Sequence, residues 1–120
     1  MADRRSQVDC VFLNSGIQRS LNFAKPESID LDCVGVELTT NYISYIHVTY
    51  FLPFVQRQSS PTSLIFTTSA LALVPITHCP NYYASKAAIH HLILAMRVQL
   101  EGSNVKVIEI LPAGSADGVA

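Results

Sequence analysis

An α/β chain built on a partial, doubly wound parallel sheet is the fold class that this 120-residue sequence predicts. Three observations lead there. Short apolar runs suited to buried strands alternate with two long stretches of helical periodicity. Each helical stretch is long enough to return the chain to the start of a neighbouring strand, as parallel pairing requires. Only 14% of the residues are charged and 49% are hydrophobic, against about a quarter charged in ordinary domains. That balance resembles the buried centre of a larger protein.

The elements follow in order. Val8 to Leu13 is a short strand-like run, and Asn14 to Gly16 supply the turn after it. Residues 17 to 34 are mixed, with Lys25-Pro26-Glu27-Ser28 as a helix start and Ile29 and Leu31 as apolar anchors. Val36 to Gln58 is expected as one long helix, because Ile43, Ile46, His47, Tyr50, Phe51 and Phe54 recur at three- and four-residue spacing. Pro53 should kink it or mark an irregular turn. After a loop over residues 58 to 62, Ser63 to Thr68 forms a buried strand, and a loop with Pro75 and Pro80 follows. Tyr82 to Glu101 is the second long helix, with Ala84, Ala87, Ala88, His91, Leu92, Ala95 and Leu100 toward one side. Gly102 suits the position that ends it, and Val105 to Leu111 is a third strand closed by Pro112. About three strands and two long helices result, within one domain.

Composition narrows the function. A net charge of −1 offers no basic field for nucleic acid or an anionic membrane. The first nine residues are polar and charged, unlike a signal peptide, and the apolar run from Tyr42 to Val55 is too short and too interrupted to span a bilayer. Cys10, Cys33 and Cys79 are odd in number and widely spaced, so they are expected as reduced thiols of a cytoplasmic protein, neither disulfides nor metal ligands.

The chemistry concentrates in Asn81-Tyr-Tyr-Ala-Ser-Lys86 and in Ser69 upstream. A tyrosine four residues before a lysine on a helix puts both on one face, where the ammonium can lower the phenol pKa and ready it for proton transfer. Alone the pair is a weak signal and suits an ordinary helix surface. Ser69 strengthens it, standing 13 residues before Tyr82 at the end of an apolar strand. By itself that serine would be a strand-end cap or turn residue.

With Ser69, Tyr82 and Lys86 in this order, the chain resembles the short-chain dehydrogenases/reductases. Their site pairs a serine at a strand end with Tyr-x-x-x-Lys on the next helix. Leu13-Asn14-Ser15-Gly16 looks like the family's Asn-Asn-Ala-Gly, matching two of its four positions, and Asn41 sits where the family places a catalytic asparagine. Residue type alone also allows Asn41 as a helix cap, since Thr39, Thr40 and Asn41 all suit that role. The resemblance implies a Rossmann-like sheet and NAD(P)-dependent interconversion of an alcohol and a ketone. Tyr82 would be the general acid or base. Lys86 would lower its pKa and bind the nicotinamide ribose, Ser69 would hold the carbonyl, and Asn41 would anchor a water leading to Lys86. Asn14, Tyr82 and Lys86 would contact NAD or NADP, with the choice between the two left open.

Against the family pattern, the glycines at 16, 35, 102, 114 and 118 form no glycine-rich phosphate turn. Residues 1–120 are therefore expected to be the catalytic middle of such a domain, with the cofactor-binding half and the substrate-covering end absent. With helices covering one sheet face, the other face and one edge would be bare. Self-association through the two long helices, as in the family, is the expected outcome. The alternative is a catalytically inactive remnant that binds a ligand or dimerises with a relative. The histidines carry no metal reading: His90 and His91 point to different faces, His47 lies in an apolar stripe as a core or interface residue, and His78-Cys79 lacks a third partner.

Overall fold

The computed structural model describes residues 7–74 and 77–112. Pro75 and the tail beyond Pro112 lie outside the described residues. Three strands, β1 (Cys10–Leu13), β2 (Thr62–Thr67) and β3 (Val105–Ile110), form one parallel sheet in the order β1-β2-β3. Val11 is level with Leu64 and Val107, and Leu13 with Phe66 and Glu109. Alternation then places Val11, Leu13, Leu64, Phe66, Val105 and Val107 on one face, where they join Tyr45, Val55, Ile89, Ile93 and Met96 of the helices in the core. The opposite face carries Phe12, Ile65 and Ile108 in one row, and Phe12 is 53% exposed. The bare face expected from the sequence is present among the described residues.

The first helical stretch starts earlier than expected and is not uniform. Lys25 to Ser28 is no helix start: only a 3-10 turn forms, at Pro26–Ser28. The helix begins at Leu31 because the Asp30 carboxylate accepts from the Asp32 and Cys33 backbone N–H groups, a regular N-cap. It continues as α1 (Leu31–Leu38), a π turn (Thr39–Ile43), α2 (Ser44–His47), a 3-10 turn (Val48–Phe51) and α3 (Leu52–Gln56). The irregular turn stands directly before Pro53, whose ring tolerates the start of a new α segment.

The face is also different. The buried positions are Glu37, Asn41, Tyr45 and Val55, with Tyr42, Val48 and Leu52 packed beside them. His47, Tyr50 and Phe51 of the expected apolar stripe point outward, and Tyr50 is 84% exposed. Two buried polar residues and the extra residue of the π turn shift the pattern away from the apolar count.

Helix α4 (Pro80–Gln99) starts at Pro80, in the first-turn position where a missing N–H costs nothing. It buries Tyr83, Ser85, Lys86, Ile89, Ile93 and Met96. In the alanine-rich stripe the sequence singled out, Ala84, His91 and Ala95 are exposed, so that side of α4 faces away from the sheet. Gly102 has φ +83°, the left-handed backbone that lets the chain turn into β3, two residues beyond Leu100, which ends the helix.

Candidate active site

The site forms at the carboxyl ends of the parallel strands, where an open α/β sheet places its ligands. Asn14 and Gly16 follow β1, Thr67, Thr68 and Ser69 end β2, and Pro112 follows β3. With Tyr82 and Lys86 of α4, these residues line a cleft of about 240 Å³. Asn14, Ser69, Tyr82 and Lys86, far apart in sequence, thus share one cavity. Asn41 is not among its lining residues.

Asn41 instead stands behind the cleft as a fully buried clamp. Its Oδ1 accepts from Ile17 N at 2.8 Å, and its Nδ2 donates to Ile17 O at 2.8 Å and to Ser85 Oγ at 3.2 Å. Both amide hydrogens are used within the protein, so the side chain has none left for a water. It lies in the π turn, where Ser44 N reaches back to Thr39 O, eleven residues past the Asp30 cap; the helix-cap reading does not hold. Gly16 comes close beneath the clamp. A Cβ there would stand 3.3 Å from Asn41 Oδ1 and 3.6 Å from Lys86 Nζ, so the absence of a side chain keeps the backbone open beside the ammonium.

Lys86 is buried, and its Nζ donates to Thr67 O at 3.1 Å. Two tyrosine rings flank it, with centroids 5.9 Å (Tyr45) and 5.6 Å (Tyr82) from Nζ. Tyr45 donates its hydroxyl hydrogen to Ser15 O, tying the turn after β1 to this pair. Burial alone holds the Lys86 ammonium below its ordinary value.

The Tyr82 phenol is pushed above its ordinary value, first by burial and then by Tyr83, Cys79 and Glu37. This corrects the expectation that Lys86 brings it down. The ammonium lies over the ring face and is bonded to a carbonyl, while loss of solvent disfavours the phenolate. Ser69 is buried, and its Oγ accepts from Leu71 N at 3.1 Å, capping a 3-10 turn at Ala70–Leu73. Its hydrogen stays free to donate, so the cap role and a role in the cleft are compatible.

Sequence reasoning missed two buried carboxylates. Glu37 accepts from Arg19 N and from Asn81 Nδ2, both at 2.7 Å, fixing the residue before Tyr82. Glu109 Oε2 accepts from Thr68 Oγ1 at 2.6 Å and lies 2.6 Å from His90 Nδ1. His90 therefore has an acidic partner that its own helix does not supply. The only signal available was a carboxylate inside each apolar run, at Glu37 and Glu109. No group of three or more potential metal ligands occurs among the described residues.

Comparison with known proteins identifies the family and the fold. The family model for short chain dehydrogenases matches residues 1–117. The chain belongs to the short-chain dehydrogenase family. It is 36% identical over 101 residues to the uncharacterized oxidoreductase DltE of Bacillus subtilis (strain 168), covering 82% of this chain and 39% of DltE. A Burkholderia phymatum short chain dehydrogenase/reductase in complex with NAD superposes with a TM-score of 0.79 at 24% identity, over 89% of this chain and 38% of that one. A Burkholderia cenocepacia J2315 short chain dehydrogenase in complex with NADP gives 0.78 at 25%, over 94% and 48%. The chain thus spans less than half the length of these relatives, and the parallel sheet with its helices is the Rossmann-like fold they share.

Two outcomes follow. Asn41→Ala leaves the Ile17 N–H and C=O without partners and should cost about 2–4 kcal/mol in urea unfolding. For Lys86 the folded pKa lies below the unfolded value of 10.5. The unfolded chain therefore holds more protons between the two values, and stability at this site rises with pH across that window. The stability of the wild type relative to Lys86→Met should climb as pH approaches 10.5 and stay level below the folded pKa, by urea unfolding at a series of pH values.

Proposed function

We propose that this site interconverts an alcohol and a ketone with NAD or NADP. The observation that carries the reading is the single cleft joining Ser69, Tyr82, Lys86 and Asn14 at the strand ends. Residues 1–120 are the catalytic middle in this reading.

The residues present fit the nicotinamide end of the cofactor. Gly16 leaves backbone open beside Lys86, and Lys86 engages one carbonyl with an ammonium that has three hydrogens to give. These donors suit ribose hydroxyls, and Asn14, in the turn after β1, would contact the adenosine side. The nicotinamide, when bound, supplies or takes the hydride.

Ser69 donates to the substrate oxygen and fixes it near Tyr82. In reduction the Tyr82 hydroxyl gives its proton to that oxygen, and a phenol held above its ordinary pKa keeps this proton at neutral pH. In oxidation Tyr82, once deprotonated, takes the proton, and the burial that disfavours its phenolate makes that phenolate the stronger base. Asn41 serves through position: it holds Ile17, and with it Gly16, against Lys86.

The two helical stretches present apolar residues outward, including Tyr50 and Val98, which is 72% exposed. They support self-association of the chain through these faces. No described helix is long and apolar enough to cross a membrane, and the thiols of Cys10, Cys33 and Cys79 are free, which suits a cytoplasmic setting.

A carbonyl screen with NADH and NADPH tests the chemistry. Tyr82→Phe should lower the rate by about 10²–10⁴-fold, the worth of a positioned acid, with ketone binding retained. An unchanged rate would remove Tyr82 from the reaction, and absence of turnover by folded wild type would leave the inactive remnant. Sedimentation should show a concentration-dependent dimer that Tyr50→Glu with Val98→Glu disperses, both changes being at exposed positions.

A further inference from the structure

Beside the polar cleft lies a second, larger one of about 570 Å³, within the range of small-molecule sites. Its walls come from the segment after β1, with Leu21 and Phe23, from the segment after β2, with Val74, and from the first turns of α4, with Pro80, Tyr83 and Ala84. Leu21 N donates to His78 O at 3.2 Å and Gln18 Nε2 to Cys79 Sγ at 3.3 Å, so the two segments are fastened together at its rim. Tyr83 lines both clefts, and its ring meets that of Tyr82 edge-on at 5.0 Å. The groups that handle oxygen and protons therefore adjoin an open, largely apolar cleft at Tyr83.

The charge distribution decides what fits. Among the described residues, no Asp, Glu, Lys, Arg or His lines the second cleft. Arg19, Asp30 and Glu37 line a different groove, of about 270 Å³, which shares Leu21 and Asn22 with the apolar cleft. A carboxylate or phosphate in this cleft would lose its water and meet no cationic side chain among the described lining residues, with Asn22 and Thr77 as its polar neighbours, whereas an aromatic or branched alkyl group would cover exposed side chains such as Phe23, 68% exposed.

We propose that the substrate is a neutral ketone or secondary alcohol with a hydrophobic body, its oxygen between Ser69 and Tyr82 and its body in the cleft walled by Leu21, Phe23, Val74 and Tyr83. The assignment rests on the reaction read above for its oxygen end. The largely apolar cleft is what selects the body.

The test uses ligand-observed NMR on the full 120-residue chain, which reads binding without turnover, with 4-phenyl-2-butanone as apolar probe and 4-oxopentanoate as charged probe. Phenylbutanone should bind and oxopentanoate at least ~10-fold more weakly, a difference in scale with polar discrimination by an apolar pocket. Phe23→Asp, at an exposed position, should weaken phenylbutanone by a similar factor without changing the circular dichroism. Equal binding of the two probes, no binding of phenylbutanone, or no effect of Phe23→Asp would overturn the proposal. Binding that follows the expected pattern, with no reduction of phenylbutanone by NADH or NADPH, would instead sustain the apolar site and overturn the reductase reading.

Discussion

The buried amide of Asn41 is the constraint on which the site depends. Its side chain pairs with both backbone groups of Ile17 as a strand neighbour would, and with Ser85 Oγ from α4. Three segments distant in sequence thereby meet at one residue: the turn after β1, the first helical stretch and α4. Ser85 in turn donates to Tyr82 O at 2.6 Å, so the clamp reaches the backbone of the tyrosine itself. Burying an amide is costly unless its hydrogen bonds are made, and here they are. The π turn is the backbone solution that aims Asn41 inward while Tyr45, one turn later, reaches the Ser15 carbonyl.

Around this clamp the sheet is covered on one face only. Glu37, Glu109 and Lys86 are ionisable groups within the covered half, each tied to backbone or polar partners at the strand ends or helix starts. The far face keeps Phe12, Ile65 and Ile108 without helices among the described residues. A sheet of this kind ordinarily has both faces covered. The chain therefore concentrates its polar order where chemistry is expected and leaves its apolar surplus on the sheet and on the outward helix faces.

Much of this was legible in the residues. The strands were placed within one or two residues at each end, because short apolar runs bounded by turn residues have few other folds. The Tyr82–Lys86 spacing and the strand-end Ser69 located the cleft. Less legible was which side of the first helical stretch is buried. Counting apolar residues selected His47, Tyr50 and Phe51, yet the fold buries Glu37 and Asn41, whose partners Arg19, Ile17, Asn81 and Ser85 lie far off in sequence. The upward shift of the Tyr82 phenol was likewise hidden, because helix spacing gives nearness to Lys86 but neither burial nor the position of the ammonium over the ring. The helix start at Asp30 was missed, because Lys25-Pro26-Glu27-Ser28 offered a competing start and the apolar recurrence began only at Val36.

The most direct test of the account is calorimetric titration of the folded 120-residue chain with NADPH and then NADH, alongside Lys86→Met. The account predicts saturable binding of at least one cofactor by the wild type, at concentrations up to about millimolar (about −4 kcal/mol), and its loss in Lys86→Met. A wild type that is folded by circular dichroism and gives no saturable heat, or a Lys86→Met variant that binds equally well, would contradict it.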